Sequence, residues 1–566
     1  MTVLELLLVT FTSAGVLLLA FFRRVSRSLW RSFAIAGVVL PLAVLIEGRH
    51  RALALRMLIV AFIVAVLAFR RSRWSISPQP RRRRILTAAL RFALALLMTL
   101  VVLLNGALIE IVDPLTNDLI GDLVLGFTTQ DFSNEPWPQA FEKLHNHLSR
   151  AYALGAWKRI DWKSLHDTAA PKIAEAARSG DRAAFYVALR EYLWSLNDGH
   201  VSLTGSDGGL RNAAAMGGYG LLLIRLDDGQ TICHVLIDDG PAAKQGMKWG
   251  ATILQWNGLA VDDVAARTAT LWEAAQPATN EGARLVRLRF LTRAPAGTKA
   301  NVVFRNPDET LERTVTLIAA NDSFEPMGLE GRPRSPDLVN DTNIEWRVLP
   351  EGIGYLKIRA ESPFLRQLLP DRAVQHAVAE FELAGAKGVI IDVRGNFGGA
   401  DKLVTSIMGF FVDEPQFFEH VAYFDDATSR FVRQDAGTLW VTPRVPNFRG
   451  PIAVLVDEYC ASACEGFALI ARRRSGGHVV GFHGTYGSFG ASGAEVTMPA
   501  GLTVEYPTGQ SLDVNGTVQL DSDWNLEGGV KPDIRVPLTA ESVRAQFKDG
   551  HDVALESAVR ALKAAR

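Results

Sequence analysis

Cysteine is scarce in this sequence: three residues, Cys233, Cys460 and Cys464, among 566. An odd and widely spread count gives no disulfide framework, and a chain of this length can bury several cores without one. Net charge is lacking too. The 60 basic and 60 acidic residues cancel at pH 7. The 11 histidines do not pair with Cys or carboxylates at metal-ligand spacings, so no metal and no other cofactor is expected. Solenoid repeats and low-complexity tracts are missing as well.

The neutral total hides a division. Residues 1–112 carry 15 Arg, no Lys and only Glu5, Glu47 and Glu110, a balance of +12, which leaves −12 for the remainder. The acidic remainder argues against a nucleic-acid partner. Four apolar stretches crowd the basic part: Val3–Phe22, Ser32–Ile46, Ala52–Phe69 and Ile85–Ile109. A spanning helix needs about 20 apolar residues; the first and fourth qualify, the second is short and the third contains Arg56. Arg23 and Arg24, rather than a small-residue cleavage site, follow the first stretch, which disfavours a signal peptide. The reading is a membrane domain of about four transmembrane helices with the lipid bilayer as partner. Arginines cluster in the first and third loops, which places those loops in the cytoplasm. Everything after about Asp113 is then expected on the periplasmic or extracellular side of a multi-pass membrane protein.

Residues 130–205 read as helical, with Phe141, Leu144, Leu148 and Tyr152 at helical spacing. The region ends in Asp198-Gly199-His200, a turn into a strand. From about 340 onward strands and helices alternate, an α/β layer pattern.

Two turns carry the chemistry. The strand Ile452–Val456 runs into Asp457-Glu458-Tyr459-Cys460-Ala461-Ser462-Ala463-Cys464-Glu465 and then a helix-like run, Gly466–Arg474. Ser462 stands at a strand–turn–helix corner with free backbone N–H groups behind it, a setting that suits a nucleophile and its oxyanion. The strand Gly388–Ile391 ends in Asp392-Val393-Arg394-Gly395-Asn396-Phe397-Gly398-Gly399, whose glycines allow close backbone approach to a ligand. Each turn alone is an ordinary structural feature. In this order they resemble the core of the carboxyl-terminal processing, or tail-specific, serine peptidases.

That resemblance covers roughly residues 130–540 and implies a Clp protease/crotonase-like fold acting on polypeptides. One branch of the family uses a Lys base in a phrase that corresponds here to Gly484–Gly490, where Ser488 replaces the Lys. The tricorn-like branch uses a His, which His200 matches, and an orienting Glu before a Gly-Val-x-Pro-Asp phrase. Glu527-Gly528-Gly529-Val530-Lys531-Pro532-Asp533 matches that phrase, so Glu527 is the expected orienter. The Ser that precedes the His in that branch is Gly199 here, so Ser488 is a candidate relay and Asp198 a competing orienter. The catalytic set is thus Ser462, His200 and Glu527. The backbone N–H groups of Ala463 and Gly399 are expected to hold the oxyanion, with Gly398 as alternate, and Asp392 and Arg394 to brace the turn. Cys460 and Cys464 sit where the family usually has small residues; a bridge between them is open.

Gly240–Gly250 followed by Ile253–Gly258 looks like a PDZ element, and Gly218, Tyr219, Gly220 and Leu221 would form the loop that captures a peptide C-terminus. The expected fold class is multi-domain. It comprises N-terminal transmembrane helices (1–112), a helical region with the His motif (130–205), a PDZ-like β-rich domain (213–322), an α/β peptidase core (340–540) and a C-terminal helix (541–566). The functional reading is a membrane-anchored extracytoplasmic serine endopeptidase cleaving exposed or unfolded polypeptides through an acyl-enzyme. The rivals are an inactive peptide-binding relative and a membrane scaffold.

Overall fold

In a computed structural model the chain divides into two compact units, Met1–Asp113 and Pro114–Arg566. The structure describes residues 130–330, 343–360, 370–425 and 427–564, all in the second unit. Among these residues no helix is long and apolar enough to cross a membrane. The fold class is corrected accordingly: the described architecture has no transmembrane helix. The four apolar stretches on which that expectation fell lie outside the described residues.

Three helices open the described fold: α1 (Trp137–Ala151), α2 (Trp162–Ser179) and α3 (Arg182–Trp194). Asp161 and Asp181 cap α2 and α3 by accepting from the N–H groups of Ser164 and Ala184, which satisfies donors that a helix start leaves open. Phe141, Leu144 and Leu148 fall on one face of α1 and pack, fully buried, against Val496 and Val504 of the sheet beneath. After α3 the chain turns through Asp198–His200 into β1 (Ser202–Thr204).

A β-domain follows, with β2 (Leu221–Arg225), β3 (Thr231–Leu236), β4 (Thr252–Trp256), α4 (Asn280–Leu291), β5 (Lys299–Arg305) and β6 (Arg313–Ile318). Its antiparallel sheet runs β6-β5-β4-β3-β2. Leu288 and Leu291 of α4 close the core of this sheet.

The peptidase core comprises β7 (Ile344–Val348), β8 (Gly354–Ile358), α5 (Pro370–Leu383), β9 (Val389–Asp392), α6 (Asp401–Met408), β10 (Gln416–Asp425), β11 (Arg430–Val441), β12 (Ile452–Leu455), α7 (Ala463–Arg473), β13 (Gly477–Gly481), β14 (Ala491–Met498), β15 (Leu502–Leu512), β16 (Ile534–Arg535) and α8 (Val553–Ala564). One sheet runs β7-β8-β9-β12-β13-β16, parallel from β8 onward. Its central strands are mostly apolar because both faces are covered, with Lys357 and Asp392 as buried charged exceptions. Val389, Ile391, Ile452 and Val454 face α5, α6 and α7, while Ile390, Ala453 and Leu455 face α8. A second sheet joins β14, β15, β10 and β11, and β1 pairs with β15. This delivers the end of the helical region to the core. The C-terminal segment is not one helix: Gly550, at φ 82°, separates a short helix, Ala540–Arg544, and the turn after it from α8.

One register matters most. β9 and β12 are parallel neighbours, with Asp392 opposite Leu455. Their C-terminal ends therefore leave the sheet side by side, and the two sequence-distant turns must meet.

Candidate active site

Ser462 is the residue immediately before α7, at φ 55° and ψ −135°. A β-carbon makes this region costly, about 1–3 kcal/mol, and it persists only where the surroundings impose it. Here they do. The Ser462 N–H donates to the Ser488 carbonyl at 2.8 Å, and the Ala461 N–H donates to the Asn396 carbonyl at 3.2 Å. A disulfide joins Cys460 to Cys464 across the turn. Behind it α7 is anchored by Phe467, Ala468, Ile470 and Ala471, all buried. The N–H groups of Cys464 and Glu465 donate to the Ala461 and Ser462 carbonyls, which leaves the Ala463 N–H, at the start of α7, beside the Ser462 side chain.

The Gly-rich turn closes on this corner. Gly398 lies at φ 100°, and a β-carbon added there would stand 2.7 Å from Ser462 Cβ and 3.1 Å from Ala463 N. The Gly398 N–H is already committed, donating to Asn396 Oδ1 at 2.8 Å. That leaves the N–H groups of Ala463 and Gly399 as the candidate oxyanion donors. The turn is braced at its base. Asp392 accepts from Tyr355, Lys357 and Arg394, and Arg394 also pairs with Asp552. Burial alone would raise the Asp392 carboxyl, but Arg394 and Lys357 hold it far below the usual range. The Gly395 N–H donates to both carboxylate oxygens of Asp457, at 3.0 and 2.9 Å, and burial together with Glu458 pushes Asp457 up to about 6.

Ser488 ties the His200 segment to this corner. Its carbonyl holds the Ser462 N–H, and its hydroxyl accepts from the Gly199 N–H at 2.9 Å. Asp198 is fully buried. It accepts from the His200 N–H at 2.9 Å, from the Tyr152 hydroxyl at 2.7 Å and from the Ser488 hydroxyl at 3.4 Å. His200 Nδ1 is buried with no hydrogen-bond partner, and no hydrogen bond joins the ring to Ser462. Burial pulls the imidazole below its ordinary value, and the nearby Asp198 charge offsets part of that.

Glu527 does not join this group. Its side chain is 54% exposed and pairs with Lys531 at 2.7 Å, a contact that also lowers its pKa. The expected Glu527–His200 link is not made; the carboxylate that reaches the His200 segment is Asp198. The peptide-capture loop is likewise differently engaged. Gly217–Gly218 pair on one side with Arg293–Ala294 and on the other with Ala320–Asn321. The Tyr219 N–H donates to the Thr292 carbonyl, and the ring packs edge-on to Trp256. Gly220 and Leu221 then lead into edge strand β2. Gly217 and Gly218 are thus built into the domain on both sides.

Two buried acids escaped the sequence reading. Glu465 accepts from the N–H groups of Gly487 and Ser488, both at 3.0 Å, and from Thr485; burial pushes it up to about 8. Asp521 accepts from the N–H groups of Phe489 and Gly490 at 2.7 and 3.1 Å, and burial pushes it up to about 7. Together they shape the loop that presents Ser488. Glu465 closes the Ser462 turn in sequence, but its partners, like those of Asp521, arrive from other segments.

This geometry agrees with the comparisons. Residues 352–536 match the model of Peptidase family S41. That stretch of the chain is similar to peptidase family S41, a family of serine-type peptidases. It is similar to the carboxy-terminal processing protease CtpA of Bacillus subtilis (strain 168), at 26% identity over 188 residues, covering 33% of this chain and 35% of that protein. The match thus spans about a third of the relative's length. The fold is shared with mature CPAF complexed with lactacystin (TM-score 0.53, 15% identity, 76% of this chain and 99% of that one). It is shared equally with mature CPAF alone (TM-score 0.53, 15% identity, 76% and 97%).

Proposed function

We propose that this protein is a serine endopeptidase of the carboxyl-terminal processing kind, cleaving exposed or unfolded polypeptide outside the cytoplasm. The observation that carries this reading is the Ser462 corner, a non-glycine residue at φ 55° facing Gly398. Ser462 Oγ attacks the scissile carbonyl while His200 takes its proton. The N–H groups of Ala463 and Gly399 hold the oxyanion. His200 returns the proton to the leaving amine, and water, deprotonated in turn by His200, hydrolyses the acyl ester. His200 must close on Ser462 as substrate binds, as catalytic hydrogen bonds often tighten only in the complex. Extracytoplasmic action is supported by the Cys460–Cys464 disulfide, a bond that persists in oxidising compartments. The domain of residues 213–322 acts in this reading as a PDZ-like module presenting substrate, and capture of a C-terminus at Gly218–Leu221 requires that loop to open.

A fluorophosphonate probe tests the reading. The protein should be labelled at Ser462, and Ser462→Ala should lose both the label and at least about ten-thousand-fold in proteolytic rate. Labelling that persists in the variant places the nucleophile elsewhere. An unlabelled and inactive wild type favours the peptide-binding relative.

A further inference from the structure

The disulfide at the nucleophile turn has no part in the mechanism above. Cys460 and Cys464 flank Ser462 two residues away on each side, with Cα atoms 5.4 Å apart, and both are fully buried. The Cys460 carbonyl accepts from the Tyr486 N–H at 2.9 Å. Cys464 Sγ lies 3.5 Å from the Val393 carbonyl oxygen. The two bonded cysteines therefore touch three segments of the site: the Ser462 corner, the loop that presents Ser488, through the Cys460 backbone, and the start of the Gly-rich turn.

We propose that Cys460 and Cys464 form a thiol–disulfide modification site that controls Ser462: the bonded pair holds the corner for catalysis, and the dithiol disables it. This rests on Ser462 being the nucleophile. A dithiol reductant supplies the two electrons and two protons that convert the S–S bond into two thiols, and itself closes to a disulfide. Two bonded sulfurs pack more closely than two thiols, which must part to van der Waals contact. The site is fully enclosed, so the separation has to be taken up by the short segment between them. Ser462 is the middle of that segment and sits in a backbone well that only its surroundings maintain. Once released, it relaxes toward ordinary backbone and carries Oγ away from the oxyanion donors. Substrate contacts made elsewhere are unaffected, so kcat falls while KM holds.

The full chain, purified without reductant, is denatured and alkylated. One alkyl group is expected, on Cys233, and three after reduction with dithiothreitol. Native protein treated with dithiothreitol should reach the three-thiol state with kcat at least about ten-fold lower, a loss equivalent to one factor of ten in transition-state stabilisation. Fluorophosphonate labelling should slow in parallel, and re-oxidation should restore both. The double variant Cys460→Ser/Cys464→Ser, which cannot form the bond, should have the lowered kcat of the reduced wild type and ignore the reductant; should it not fold, the wild-type series decides alone. The proposal is overturned by three alkyl groups before any reduction, by a three-thiol protein with unchanged kcat, or by a bond that yields only when the whole protein unfolds. Oxidised protein that never labels at Ser462 overturns the nucleophile assignment instead.

Discussion

Replacing Gly398 with alanine places a methyl group where the two turns meet, and the outcome can be worked out before the measurement. The new β-carbon would stand 2.7 Å from both the Ala461 carbonyl oxygen and Ser462 Cβ, and 3.1 Å from Ala463 N. Comfortable carbon–carbon contact begins at about 3.5 Å, so the turns must part by most of an ångström. Overpacking of this kind costs about 1–3 kcal/mol, and the φ of 100° adds strain for any residue with a β-carbon. The larger effect is catalytic. The methyl intrudes on the space between Ala463 N and Gly399 where the oxyanion must sit, and losing one oxyanion donor costs about a hundred- to thousand-fold in kcat.

Gly395→Ala is the matched control. It lies three residues earlier in the same turn, at φ 71°, but with nothing within 4 Å of its added β-carbon. It carries the backbone penalty without the collision. Steady-state kcat on an unfolded polypeptide, with thermal melts alongside, separates the two effects. Gly398→Ala should lose about a hundred-fold or more while Gly395→Ala stays within a few-fold. Equal losses would mean that the turn is merely sensitive to loosening. A folded Gly398→Ala protein with wild-type kcat would refute the placement of the oxyanion site.

The remaining outcomes concern the base. His200→Ala should cost nearly as much as Ser462→Ala, because members of one catalytic unit fail together. The working imidazole is neutral, so activity is full above its pKa and is lost as pH falls through it. Burial lowers that pKa from 6.5, so the acid limb of kcat/KM should lie below the ordinary histidine range. Asp198→Asn removes the charge that opposes the lowering, and should move the limb further down while reducing the rate. Glu527→Gln should leave kcat within about two-fold, since exposed ion pairs contribute little. A hundred-fold loss in folded Glu527→Gln would show that Glu527 reaches His200 in the working enzyme.

What could be read from the sequence follows from how local each feature is. The Ser462 corner and the Gly398 turn each sit at the end of an apolar strand, so their residue types and order were visible. Their meeting needs only that β9 and β12 be parallel neighbours. Which carboxylate reaches the His200 segment was not legible because it is defined by proximity: Glu527 matches a phrase, but it lies exposed against Lys531. Asp198, two residues before His200, was visible only as a competitor. Glu465 and Asp521 were invisible because their donors lie in the loop 485–490, which no pattern connects to them. Gly217–Leu221 was legible as a glycine-rich loop, but the pairing of Gly217 and Gly218 with strands on both sides was not.

Gly199 shows how the two kinds of information combine. The resemblance expects a serine before the histidine, and its replacement by glycine reads at first as a lost relay. In the structure the space is already filled. A β-carbon on Gly199 would meet the Tyr486 ring at 2.6 Å and the Ser488 hydroxyl at 3.2 Å. A hydroxyl is therefore present beside the His200 segment, but it comes from another part of the chain and already bonds the Gly199 N–H. Tyr486 cannot easily withdraw, because its own hydroxyl donates to the Gln276 carbonyl and its N–H holds the Cys460 carbonyl. Gly199→Ser, which restores the family residue, should consequently lower activity rather than raise it. The displaced Tyr486 and Ser488 would pull on the carbonyls of Cys460 and Ser488 that fix the nucleophile corner. Ser488→Ala, which removes the hydroxyl but keeps the backbone bond to Ser462, should be the milder change. Parallel kcat measurements on the two variants decide the matter. A gain of activity in Gly199→Ser would mean that a relay had been missing and that Ser488 does not supply it.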